Sequence, residues 1–173
     1  MNIDDLNTEQ LIADMASALR SLLEAREASD PVLVGIYTGG VWIAQRLQTL
    51  LGLSGTLGTL DISFYRDDFT RVGINPQVRP SQLPVSVENR HIILVDDVLH
   101  TGRTIRAALN ELFDYGRPAS ILLAVLVDRG GRELPIQADV TGARVSLATG
   151  EHIKLHGPSP LRLSRVGAAR QTG

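Results

Sequence analysis

Residues 92–104 read IILVDDVLHTGRT. The apolar run Ile92, Ile93, Leu94, Val95 suits a strand buried on both faces of a parallel sheet. Asp96 and Asp97 then stand at the carboxyl end of that strand, where open α/β sheets place their ligands. Neighbouring carboxylates in this position accept hydrogen bonds from vicinal hydroxyls, as on a ribose, or help to hold a hydrated Mg²⁺. They are negative, so a phosphate must be held elsewhere. The turn Thr101, Gly102, Arg103, Thr104 is suited to it: Gly102 allows close backbone approach, the hydroxyls donate, and free N–H groups at a helix start favour an anion. A lone Asp-Asp pair or a lone TGRT would equally fit a strand end and a plain helix cap. Together they point to a site for a sugar that carries phosphates.

Outward from this window the chain alternates strands and helices. Asn7 with Gln10 makes a capping box for a first amphipathic helix, in which Leu11, Ile12, Met15, Leu19, Leu22 and Leu23 recur at helical spacing. Val32 to Ile36 reads as a strand, and Tyr37, Thr38, Gly39 and Gly40 as a turn into a helix carrying Val41, Ile43, Ala44, Leu47 and Leu50. Leu57 to Tyr65 reads as a further strand, Ile105 to Tyr115 as the helix after the signature, and Ile121 to Val127 as a wholly apolar strand ending in Asp128 and Arg129. Alternation of this kind predicts an α/β fold with a mostly parallel sheet. Between Tyr65 and His91 periodicity fails, and the polar connection exceeds the ~12–15 residues above which loops are usually functional or disordered. After Asp139 short strand-like fragments, Val145 to Leu147 and His152 to Leu155, precede a basic stretch, 161–173, expected to be a flexible tail beyond a single domain of residues 1–160.

Composition narrows the chemistry. The 173 residues suit one domain and contain no cysteine, which excludes disulfides and thiolate zinc sites. The histidines, at 91, 100, 152 and 156, lack metal-ligand spacing, so any metal is expected to be hard and oxygen-liganded. No apolar run approaches membrane-spanning length and no leader pattern opens the chain, so a cytoplasmic protein without a membrane partner is expected. Residues 1–30 carry seven acids against two arginines, whereas residues 141–173 carry five bases against Glu151. The basic end suits a polyanion, but with one lysine, Lys154, beside sixteen arginines, a general bias towards arginine explains much of it.

The window resembles the phosphoribosyl diphosphate (PRPP) signature of type I phosphoribosyltransferases. The longer stretches DDVLHTGRTIRAALNELFDYGRP and AVLVDRGGRELPI resemble the PyrR proteins, pyrimidine-operon regulators that also carry uracil phosphoribosyltransferase activity. The resemblance implies a type I phosphoribosyltransferase fold: a parallel sheet flanked by helices, with a small hood from the chain ends. It implies PRPP and uracil as substrates, UMP as product, Mg²⁺ as cofactor, and a homo-oligomer, dimer or tetramer. By it, Asp96 and Asp97 hold the ribose hydroxyls and stabilise charge developing on the ring. His100, Thr101, Gly102, Arg103 and Thr104 form the 5′-phosphate cup. Thr38, Gly39 and Gly40 take the place of the diphosphate loop. Arg66, or another arginine of the 65–91 connection, closes as a lid. Asp128 meets a Mg²⁺ or the base, flanked by Arg129 and Gly130.

The departures bear on function. Where the family's diphosphate loop reads like T-R-G after a basic residue, this chain has Tyr37-Thr38-Gly39-Gly40, a pair of glycines closer to purine phosphoribosyltransferase loops. His100 stands in place of tyrosine, Gly131 of histidine, Gln137 of arginine and Ala143 of lysine, and the first helix is acidic rather than basic. Because RNA affinity depends heavily on lysine and arginine meeting phosphates, the sequence keeps the sugar-phosphate site better than an RNA-binding face. Uracil phosphoribosyl transfer is the favoured expectation. The alternatives are an RNA-binding attenuation regulator sensing UMP, a degenerate nucleotide-binding sensor, and a purine phosphoribosyltransferase.

Overall fold

A computed structural model describes residues 1–62, 81–83 and 86–167. The helices are α1 (Thr8–Ala25), α2 (Gly39–Leu51) and α3 (Arg103–Asp114). The strands are β1 (Val32–Ile36), β2 (Gly58–Leu60), β3 (His91–Leu99), β4 (Ser120–Asp128), β5 (Val140–Arg144), β6 (His152–His156) and β7 (Arg162–Val166). The first five strands form a sheet in the order β2-β1-β3-β4-β5, parallel throughout.

The central strands are apolar on both faces because both faces are covered. Ile93 and Val95 of β3, with Leu122, Ala124 and Leu126 of β4, pack with α1 and α2. Ile92, Leu94, Leu123 and Val125 point the other way, onto Ile105, Ala108 and Leu112 of α3. Each such buried side chain contributes on the order of 1.5–3 kcal/mol. Asn7 caps α1 as expected, its Oδ1 accepting from Gln10 N–H at 3.0 Å. The Gln10 side chain turns forward to Asp14 instead of back to complete the box.

The chain ends build the hood. β6 and β7 pair antiparallel, Leu155 opposite Leu163, and those two leucines are buried. Arg165 N–H donates to Asp4 Oδ1 at 3.3 Å, which joins the hairpin to the N-terminal segment. Arg46 of α2 donates to the Pro158 carbonyl at 2.8 Å, which joins it to the body.

Three sequence expectations shift. The strand after Asp139 is Val140–Arg144, and Val145 to Leu147 lies beyond it, because β4 offers partners from Ala124 to Asp128 and Arg144 already pairs with Asp128. The stretch expected as a flexible basic tail contains β7, which Leu161 and Leu163 hold down by burial. Among described residues β2 is only Gly58–Leu60, with Ile62 buried after the strand. Phe64, Arg66 and most of the 65–91 connection lie outside the described residues.

Candidate active site

The sequence suggested a strand ending at Val95, but β3 continues to Leu99, since β4 stays apolar to Val127 and keeps supplying a ladder. Asp96 and Asp97 are therefore strand residues, pairing continuing from Asp96 opposite Val125 to Leu99 opposite Asp128. Asp96 is 2% exposed and its Oδ1 accepts from Asp97 N–H at 2.9 Å. Asp97 is half-buried, and its Oδ1 accepts from Val98 N–H at 2.8 Å. Both carboxylates line a cleft of about 260 Å³ with His100, Thr101, Gly102 and Thr104.

Of the residues expected to form a phosphate cup, His100, Thr101, Gly102 and Thr104 line that cleft and Arg103 does not. Gly102 sits before α3 with φ +93, a left-handed conformation that favours glycine. Its own side would meet Ile136 at 3.0 Å if it carried a β-carbon. The first helical bond, Arg106 N–H to the Gly102 carbonyl, is 2.9 Å long. Among the described residues the amides of Thr104 and Ile105 have no hydrogen-bond partner, the condition for holding an anion. Arg103 is turned aside to Glu133, 3.3 Å away, and both side chains are well exposed.

The turn before α2 meets the end of β3. Thr38 precedes α2 without a side-chain cap, and the peptide between Tyr37 and Thr38 is cis. Gly39 and Gly40 are buried against the end of β3, Gly39 on Asp97 and Gly40 on the backbone of Val95 and Asp96. The glycine pair thus brings the amide end of α2 directly beside the carboxylates, an approach no larger residue permits.

The third group departs from what the sequence suggests. Asp128 does not line the cleft: Arg132 grips it with two hydrogen bonds, Nη1 to Oδ1 at 2.9 Å and Nη2 to Oδ2 at 2.7 Å. The Arg132 hydrogen bond holds the Asp128 carboxyl below its ordinary value of 3.8, against the opposing effect of burial and with help from Gly130 N–H. Arg129 does line the cleft, and its Nε is buried with no hydrogen-bond partner among the described residues. Gly130 lies beside His100, its carbonyl 2.8 Å from the ring Nδ1. Arg66 lies outside the described residues.

Five cleft residues escaped sequence reasoning: Val98, Leu99 and Ile105 beside the expected ones, and His152 and Ile153 from distant β6. The motif of the last two carries no chemical signature. Only the pairing of the hairpin and its attachment to α2 put them opposite the signature. Among the described residues no group of three or more His, Asp or Glu side chains is arranged to hold a metal alone.

The phosphoribosyl transferase domain family matches residues 2–156. A protein named Bifunctional protein PyrR from Nitrosococcus oceani is 59% identical over 161 residues, covering 92% of this chain and 91% of its own. Another of that name from Pseudomonas entomophila is 60% identical over 163 residues, covering 94% and 95%. The chain is a PyrR-family phosphoribosyl transferase domain. Among solved structures, this chain is similar to the hypoxanthine phosphoribosyltransferase of Trypanosoma cruzi, with a TM-score of 0.63 at 22% identity, covering 82% of this chain and 78% of that one. A hypoxanthine phosphoribosyltransferase from Staphylococcus aureus gives 0.62 at 21% identity, covering 80% and 74%. At these identities the likeness shows a shared type I phosphoribosyltransferase fold. No helix among the described residues of this PyrR-family chain is long and apolar enough to cross a membrane.

Proposed function

We propose that this protein transfers the 5-phosphoribosyl group of PRPP to uracil, giving UMP and diphosphate. The observation that carries the reading is that the Asp96–Asp97 pair and the amide-rich turn before α3 line one cleft, while the glycine turn before α2 packs directly against the two aspartates. The 5′-phosphate is bound at Thr101, Gly102 and Thr104, and the ribose hydroxyls at the carboxylates. The leaving diphosphate lies at Thr38, Gly39 and Gly40. As it departs, positive charge builds on the ring near C1′, and the fixed negative charge of Asp96 and Asp97 stabilises it without reorganisation. His152 and Ile153, which line the same cleft as Arg129, enclose the base side and limit water.

Two carboxylates beside an anion site form the donor set that Mg²⁺ takes when it keeps its waters and shares the substrate's phosphates. Asp96 and Asp97 are the residues that would hold it, since both oxygens of Asp128 accept from Arg132. The bound cation would neutralise the departing diphosphate.

Purified protein with PRPP, Mg²⁺ and a base panel of uracil, hypoxanthine, guanine and xanthine tests the reading. UMP should form, and D96N and D97N should remove it. Product from a purine alone would reassign the base. Stabilisation by PRPP without any product would make the chain a sensor.

The name shared by the relatives, Bifunctional protein PyrR, favours a second activity beside transfer. We propose RNA-binding regulation responsive to UMP, supported by exposed Lys154 and Arg162 on the hairpin. Titration with pyrimidine-leader RNA at rising salt should show a steep, UMP-dependent loss of affinity. Binding no tighter than to random RNA would reject it.

A further inference from the structure

Arg132 lies outside the cleft, yet it touches both of the loops that build it. Within its own loop it grips Asp128 with two hydrogen bonds and donates through Nε to the Ile136 carbonyl at 2.7 Å. Across the gap Nη1 also donates to the His100 carbonyl at 2.9 Å. The guanidinium is mostly shielded, with 23% of the Arg132 side chain and 13% of that of Asp128 exposed, so water competes weakly for these bonds.

Other bonds follow the same seam. Glu133 and Leu134 N–H both donate to the Thr101 carbonyl, at 2.9 and 3.2 Å, and Arg129 N–H donates to that of Leu99 at 3.0 Å. Gly102 backs onto Ile136 and Leu134. The carbonyls of Leu99, His100 and Thr101 are thereby tied to the loop after β4, and the orientation of those peptides sets where the phosphate-binding amides that follow can point.

We propose that Arg132 is a positioning residue that locks the loop after β4 onto the phosphate-binding turn, so that the base side and the phosphate side of the cleft are held as one unit. The inference rests on the phosphoribosyl transfer reading above. A planar fork reaches Asp128, Ile136 and His100 together, and an ammonium at the same place keeps the charge but not the geometry. R132K therefore retains a cation beside Asp128 while loosening the link to His100.

Ribose 5-phosphate, which carries neither base nor diphosphate, is the probe. R132K should keep a cooperative thermal transition, yet bind ribose 5-phosphate at least about tenfold more weakly by calorimetry, although Arg132 touches no phosphate. The KM for PRPP and for the base should rise together, with a smaller change in kcat. A merely structural defect would lower the active fraction, and so kcat, at unchanged KM. Folded R132K with wild-type affinity for ribose 5-phosphate overturns the proposal. As a measurement that needs no variant, ribose 5-phosphate should slow hydrogen exchange at the Glu133 and Leu134 amides of the wild type, and unchanged exchange with the probe bound also overturns it. Wild-type protein that binds neither PRPP nor ribose 5-phosphate would overturn the transfer reading and this one with it.

Discussion

Gly39 lies so close to Asp97 that a β-carbon on the glycine would sit 2.5 Å from the aspartate Oδ2. The turn before α2 thus touches the carboxylate end of β3 through a residue with no side chain and a residue assigned to the ribose. Gly39→Ala must move one of them. The expected cost is about 1–3 kcal/mol in stability and a loss of about a hundredfold in kcat/KM. Thermal melts with steady-state kinetics check this, and an active, wild-type-like G39A would show that the contact is dispensable.

His100 and Gly131 form a second such pair. Gly131 has φ +79, and a β-carbon there would lie 2.7 Å from His100 Cε1. Gly131→Ala should cost about 1–2 kcal/mol from backbone conformation alone, plus the displacement of the imidazole. In a H100A background the second part vanishes, so a double-mutant cycle should give a coupling of about 1 kcal/mol. Strict additivity in denaturant titrations would contradict the packing described.

Asp128 sets an acid limit on stability. Its folded pKa is depressed by Arg132, so the ion pair contributes fully above the ordinary value of 3.8 and is lost as pH falls below it. Between pH 5 and pH 3, on the scale of ordinary carboxylate titration, wild-type stability should fall more steeply than that of D128N. Urea midpoints across that window provide the measurement, and equal slopes would remove Asp128 from the account.

His152 tests the hood. It lines the cleft from β6, opposite the signature. H152A should raise the KM for the base by about tenfold or more and leave that for PRPP near wild type. An equal rise in both would place the imidazole's effect on the phosphate side instead.

The legible parts of this protein are those where one local property governs the outcome. Continuous apolar runs at Ile92–Val95 and Ile121–Val127 are explained only by burial on both faces, and the structure covers both. The Gly102 turn combines a left-handed residue with a helix start, again a local matter. What escaped depends on distant partners. Nothing near Asp96 says that the strand goes on to Leu99; the ladder of β4 does. Nothing in LVDRGGRELPI says that Asp128 faces Arg132 and not the cleft, because either choice leaves the carboxylate satisfied. His152 reaches the cleft only through a hairpin that Leu155 and Leu163 close.

The bond between Arg165 and Asp4 joins residues from opposite ends of the described chain. On the ribosome, where residues emerge from the N-terminus onward, the parallel sheet and both glycine-bearing turns are available before β7 exists. β7 is thus the last described strand to be made, and it completes the hairpin that carries His152 and Ile153 to the cleft.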